Sequence, residues 1–383
     1  MNVLINAGPW LQVPPPGYGG IENVVATLVP ALRERGVRVI LASVGSSDLE
    51  VDELVSVYDT GQFGDLQKPY NQVMGIAHAH QARLVEELRR RDDVDLVHDH
   101  LEVVGPAVLS AFDGPPVLHT LHWDLHKHPA FYGDFPQSIA VNGVSESQLR
   151  RAPEALRNAA LGAVHLATPL ADGDVRADRG EHFVVMGRVC RLKGQHVAAR
   201  VCQKLGLPLV LAGPVSGLGT QADLETVTQD PYHPLHGHPD VRYHADVVAP
   251  YLDGDLVRWI GAVGGRERDD LYASARAALF PIQWDEPGGT AVVEALALGV
   301  PPVGLRRGCL PEIVEHGRTG FLADTEEELA EWLLRVDEID PEECRREARR
   351  RFSPSVMAER YLELYERTIS RARSRRGAAG GRA

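Results

Sequence analysis

Two carboxylates eight positions apart carry the most chemistry in this chain. In IQWDEPGGTAVVEALALG, residues 282–299, Glu286 stands before a Pro-Gly-Gly break and Glu294 sits inside an apolar helical run. A strand is expected to end near Ile282 and a helix to begin near Gly289 or Thr290. The opening amides of such a helix lack internal partners and sit at the positive end of its dipole, so they form a site for a phosphate oxygen. Glu294 then lies about one turn into the helix, where a carboxylate among Ala, Val and Leu is costly without a hydrogen-bonding partner. The vicinal hydroxyls of a ribose would serve, and so would a buried arginine. Glu286 is placed either to accept from the hydroxyls of a sugar beyond the phosphates or to stay a solvated loop acid.

Cations and glycines recur in similar positions. GRVCRLKG, residues 187–194, follows an apolar run and offers Arg188 as a planar fork and Lys193 as a point charge for a diphosphate, unless both are plain surface cations. With four lysines (Lys68, Lys127, Lys193, Lys204) among 40 basic residues, a lysine inside a motif stands out. In PPPGYGGIENVVATLV, residues 14–29, Gly19 and Gly20 form a loop that closes over a ligand, or a turn with a helix cap. GYGGIE misses the dinucleotide pattern at Glu22 and has no strand before it, which excludes a dinucleotide site there. His119, His122, His126 and His128 are irregularly spaced and belong to no HExxH, so hydrogen bonding is expected of them and a metal is not. His122 falls at a strand end, within reach of a sugar hydroxyl. His98, Asp99 and His100 also fall at a strand end, for acceptor contact or for structural capping. The DGD triplets at 172–174 and 253–255 read as turns, not as metal-binding DxD, and no Walker A sequence supports a P-loop enzyme.

Short apolar runs alternating with amphipathic segments must position these groups. NVLINA (2–7), RVILAS (38–43), DLVHD (95–99), PVLHTL (116–121) and SIAVNGVS (138–145) form one series of strands, with helices over 21–35 and 71–91. HFVVMGR (182–188), PLVLAG (208–213), VRWIGAV (257–263), AALFPI (277–282) and PPVGL (301–305) form a second, after a polar Gly- and Asp-rich linker at 168–181. The fold class is α/β: two Rossmann-like, doubly wound domains, with ligands in a cleft at the strands' C-terminal ends. The expected boundaries are 1–168 and 169–353, with a helix at about 354–372 packing back towards the first domain and a disordered tail at 373–383. A net charge of -13 argues against nucleic acid or an anionic membrane as the main partner. No run of 18 apolar residues spans a membrane, and MNVLINAG lacks the basic start of a secretory signal, so a cytoplasmic location is expected. Cys190, Cys202, Cys309 and Cys344 are far apart in sequence and fit reduced, buried thiols.

The ordered set of GYGGIE, TLH, GRVCRLKG, LVLAG, VRWIGAV, E-x7-E and GCLPEIVEHGRTGFL resembles the retaining, nucleotide-sugar-dependent glycosyltransferases of family four, which have the GT-B fold. The resemblance covers nearly the whole chain. It implies that Glu294 binds the ribose and Glu286 the transferred sugar, and that Gly289 and Thr290 bind the phosphate and sugar through their amides. Arg188 and Lys193 become the diphosphate-binding pair, Gly20 a first-domain phosphate contact beside Gly19, and His122 a contact of the donor sugar. Gly261 to Val263 would meet the base. His122, Glu286, Arg188 and Lys193 are the implied catalytic group, with no metal and no cofactor beyond the nucleotide sugar. Gly288 stands where most relatives carry an aromatic residue, and EPGGT is more similar to members that glycosylate natural products such as the oligosaccharide antibiotic avilamycin. The implied reaction moves a hexose from a nucleotide sugar, UDP-sugar favoured, to a small-molecule or saccharide hydroxyl. A GDP-mannose-dependent mannosyltransferase and a non-catalytic nucleotide-sugar-binding protein are the alternatives. The acceptor side falls to the first domain, with His98, Asp99 and Trp123 as candidates. A monomer or homodimer is expected.

Overall fold

The computed structural model describes residues 1–17, 19–174 and 177–380 and divides into two units, Met1–Ala167 with Pro354–Ala383, and Thr168–Ser353. In the first unit, β1 (Asn2–Asn6), β2 (Arg38–Ala42), β3 (Glu53–Val55), β4 (Leu96–Asp99), β5 (Val117–Leu121), β6 (Ala140–Gly143) and β7 (Ala160–Ala163) make one parallel sheet. Its order is β3-β2-β1-β4-β5-β6-β7. Helices cover both faces, so the central strands are buried throughout and read as continuous apolar runs. The strands missing from the expected series, β3 and β7, are three and four residues long and lie at the sheet edges.

Helix α1 (Gly20–Arg33) buries Val24, Val25, Leu28, Val29 and Leu32 on one stripe. The C-terminal helix Pro354–Gly380 buries Met357, Ala358, Tyr361, Leu364 and Tyr365 in the same cluster. Each of the Val, Leu and Met side chains among them contributes about 1.5–3 kcal/mol if fully buried. The expected tail at 373–383 is corrected: the helix runs on to Gly380, and residues 381–383 lie outside the described residues. Arginine and alanine are good helix formers, and Arg367, Arg371 and Arg375 have partners. Arg367 Nη1 donates to the Leu161 carbonyl at 2.7 Å, Arg371 Nη1 to that of Ala159 at 3.1 Å, and Arg375 to that of Gln137. The first two contacts cover carbonyls at and beside edge strand β7.

In the second unit, β8 (Phe183–Met186), β9 (Leu209–Ala212), β10 (Val257–Trp259), β11 (Ala277–Phe280), β12 (Pro302–Leu305) and β13 (Phe321–Ala323) form a parallel sheet of order β10-β9-β8-β11-β12-β13. Its helices include α2 (Gln195–Leu205), α3 (Gly265–Ala273) and α4 (Thr290–Leu298). The strand order reverses between β8 and β11 here, and between β1 and β4 in the first unit. Within 253–255, Asp253 Oδ1 accepts from the amides of Asp255 and Val257 at 3.0 and 2.9 Å, which is a turn. All four cysteines are free and buried. Among the described residues no helix is long and apolar enough to cross a membrane.

Candidate functional site

At the β8/β11 switch the second unit brings two of the sequence candidates together. After β8 the chain enters a short 3-10 turn, Arg191–Lys193, and leaves it through Gly194 at φ 73°. A Cβ on Gly194 would lie 2.0 Å from the Pro281 carbonyl oxygen, so glycine is what lets this turn meet the loop after β11. The Gln283 amide donates to the Leu192 carbonyl at 2.8 Å and fastens the two loops. Lys193 Nζ then donates to Glu286 Oε2 at 2.6 Å, although the residues are 93 positions apart. Trp284 Nε1 donates to the same oxygen at 3.1 Å. Glu286 is therefore not a solvated loop acid: its side chain is 14% exposed and that of Lys193 33%.

Three residues beyond Glu286, Gly289 takes the left-handed conformation at φ 64° and caps α4. A Cβ there would lie 2.8 Å from both Cys309 Sγ and Ile313 Cδ1, which ties the glycine to this turn. No side chain caps the helix, whose first residue, Thr290, is half-buried. The Val292 and Val293 amides bond the Gly289 carbonyl at 2.9 and 3.2 Å, so the amides ahead of them lie outside the helix ladder and form the positive end of the dipole. Gly288 is buried in the bend before them.

Glu294, one turn further, finds the arginine that its apolar setting requires. Arg268 on α3 hydrogen-bonds Glu294 Oε2, and its other terminal nitrogen reaches Asp269 at 2.8 Å. Burial raises the Glu294 carboxyl above the ordinary carboxylate range, with Arg268 working in the opposite sense. Arg268 and Trp284 were absent from the sequence candidates. GRERDD carries no signal that picks out one arginine, and Trp284 stood inside the quoted loop without an assigned partner.

The remaining second-unit candidates share this edge of the sheet. Arg188 follows β8 and is exposed. Gly261 follows β10, is buried, and its carbonyl accepts from the Gly213 amide at 2.7 Å; Val263 is half-buried. Trp259 Nε1 donates to the Gly213 carbonyl at 2.9 Å, joining the loops after β9 and β10.

The first-unit candidates divide differently. Gly19 is the buried cap of α1 and Gly20 its exposed first residue, while Tyr18 between the loop and the cap lies outside the described residues. His98 and Asp99 are corrected as acceptor contacts, because both are wholly buried and bonded within the unit. His98 Nε2 pairs with Thr120 Oγ1 and Nδ1 with the Tyr365 hydroxyl, each at 2.8 Å. Asp99 accepts from Asn6 Nδ2 and pairs with His119 Nδ1, both at 2.6 Å. β4 lies between β1 and β5, and Asp99 is in register with Asn6 and His119, so the three side chains share one face of the sheet. His122 is half-buried at the end of β5, with Nε2 2.8 Å from His100 Nδ1. Burial pushes the His122 ring down to about 3, with His119 adding to the effect, so the ring is neutral near pH 7. Trp123 is half-buried, with Lys127 Nζ 4.7 Å from its ring centre.

Both units are similar to known proteins. Residues 18–154 match the family Glycosyltransferase Family 4, and residues 174–353 match Glycosyl transferases group 1. A D-inositol 3-phosphate glycosyltransferase of Pseudarthrobacter chlorophenolicus is 25% identical over 352 residues, covering 80% of this chain and 78% of its own. One from a Nocardioides species is 27% identical and covers 93% and 86%. Among solved structures, AviGT4, a glycosyltransferase involved in avilamycin A biosynthesis, is 28% identical with a TM-score of 0.66, over 96% of this chain and 98% of that one. HepE of Anabaena, solved with UDP and glucose, shares the fold at 16% identity and a TM-score of 0.63, over 96% and 99%.

Proposed function

We propose that this chain, whose first unit matches Glycosyltransferase Family 4 and whose second matches Glycosyl transferases group 1, is a GT-B hexosyltransferase that moves the hexose of a UDP-sugar to an acceptor hydroxyl with retention at the anomeric carbon. One observation carries the reading. A cation and a carboxylate converge at the switch point of the nucleotide-binding type of sheet, the carboxylate four residues before Thr290, where a helix starts with no side-chain cap. Phosphate oxygens suit Lys193, Arg188 and the amides of Gly289 and Thr290; sugar hydroxyls suit Glu286. Charge growing on the departing diphosphate is stabilised by this preformed field, a contribution for which loss of one donor typically costs about 10²–10³ in rate.

Glu294 is assigned to the ribose through Oε1, with Arg268 holding Oε2 and keeping the acid oriented. Gly261 and Val263 are assigned to the base. Gly19, Gly20 and His122 are assigned as ligand contacts from the first unit, a neutral His122 ring being able to donate to or accept from a hydroxyl. No protein nucleophile and no metal are invoked, since a leaving phosphate oxygen can take the acceptor proton. We expect the enzyme in the cytoplasm as a monomer or homodimer.

Turnover tests the reading directly. UDP-hexoses and GDP-mannose are offered with D-inositol 3-phosphate and with oligosaccharide acceptors, and products are followed by mass spectrometry. Transfer from a UDP-hexose is expected; transfer from GDP-mannose alone would replace the donor assignment. A product whose NMR spectrum shows an inverted anomeric centre would remove the retaining step.

A further inference from the structure

Glu286 Oε2 has two donors of different kinds. One is the Lys193 ammonium at 2.6 Å, on a flexible stem and one-third exposed. The other is the Trp284 indole N–H at 3.1 Å, on a ring packed against the core of the unit. Glu286 itself is held by its backbone: its amide donates to the Trp284 carbonyl at 3.1 Å and its carbonyl accepts from the Cys309 amide at 2.8 Å. Next to it, Asp285 Oδ1 accepts from the Gly308 amide at 3.1 Å. The cation can therefore leave, and the carboxylate cannot follow.

An ammonium paired with a carboxylate is a weaker partner for phosphate than a free one. We propose that Lys193 exchanges Glu286 for the donor's diphosphate, and that Trp284 is the positioning residue that retains Glu286 through the exchange; this rests on the nucleotide-sugar reading of the site. A diphosphate carries more negative charge than a carboxylate and outcompetes it for Nζ. Without Trp284, the departure of Lys193 would leave a mostly buried carboxylate short of a donor and free to rotate. With it, Oε2 keeps a fixed neutral donor while Glu286 turns its remaining acceptor capacity to the sugar. Phosphate recognition and sugar recognition are thereby coupled: a bare nucleotide has to break the ion pair, whereas a nucleotide sugar regains hydrogen bonds at Glu286.

Calorimetric titration with UDP, together with steady-state transfer from the UDP-hexose that turns over, tests the exchange. Glu286→Gln is expected to bind UDP roughly three- to fivefold tighter than wild type while transferring at least about tenfold more slowly, because Lys193 no longer has a charged partner to leave. Trp284→Phe keeps the ring and removes the N–H; it is expected to hold UDP affinity within about twofold and lower kcat about tenfold. Unchanged or weaker UDP binding by Glu286→Gln overturns the exchange. A Trp284→Phe enzyme that transfers at the wild-type rate, or that loses UDP affinity in step with kcat, overturns the positioning role. If wild-type protein binds none of UDP, GDP, ADP or dTDP, the nucleotide-sugar reading falls and takes the exchange with it.

Discussion

The two switch points of this protein share a topology and differ in what they seal. Between β1 and β4, Asn6 and Asp99 are the last residues of their strands, and their side chains meet at 2.6 Å with no exposure to solvent. Between β8 and β11, Glu286 lies beyond the strand end at Phe280 and Lys193 beyond that at Met186, and their pair stays partly open. Polar groups on the final strand residues stay within the layer and need buried partners, which His119, Gln81 and His80 supply to Asn6 and Asp99. Polar groups several residues further along stand clear of the layer and can serve a ligand. Distance past the strand end, more than residue type, separates a sealed acid from an accessible one here.

Asp99→Ala is the severest way to test this contrast. It strands Asn6 and His119 in the interior and is expected to lower unfolding stability by about 3 kcal/mol, read by urea denaturation. Lys193→Ala should do the opposite: about 10²-fold slower transfer, with a melting temperature within about 2 °C of wild type. If Lys193→Ala melts as early as Asp99→Ala, the second switch point is structural too and the contrast fails.

Acid sharpens it. Burial lowers the rings of His98 and His100 well below the ordinary histidine value and that of His80 to about 4, all in the first unit. These rings are neutral in the fold, whereas the unfolded chain binds their protons below about pH 6.5. Stability is thus full above that pH and declines as pH falls from about 6.5 towards 4, by at most about 1.4 kcal/mol per pH unit per site. The second unit holds His244, also near 4. Hydrogen exchange at pH 5 against pH 7 should show protection lost first in the first unit, and His80→Gln should flatten that difference. The smallest effect is expected of Tyr365→Phe, about 1 kcal/mol from losing its bond to His98, with transfer unchanged.

Much of the fold was legible beforehand because a parallel sheet covered on both faces forces apolar runs of strand length. The central strands of both units and the edge strand β10 fall inside the expected segments, whereas the edge strands β3, β7 and β13 do not. At the candidate site, Lys193, Glu286 and the α4 start were visible as a cation, an acid and a glycine break at strand ends. Arg268 was not, because Glu294 announced a need for a partner without saying where in the chain it lay. His98 and Asp99 misled for the same reason: a strand-end position suggests access, and only their neighbours show that it is closed.

The sequence by itself determined the alternation of strands and helices, the division near residue 168, and the residue types at each strand end. Local periodicity and turn chemistry are enough for that. Tertiary structure alone decided that Lys193 meets Glu286 across 93 positions, that Arg268 answers Glu294, and that Tyr365 closes over His98 from 267 positions away. Those pairings depend on the order of strands in a sheet and on side-chain direction at loop ends. Both are settled by packing many distant segments at once, and no short window of residues records them.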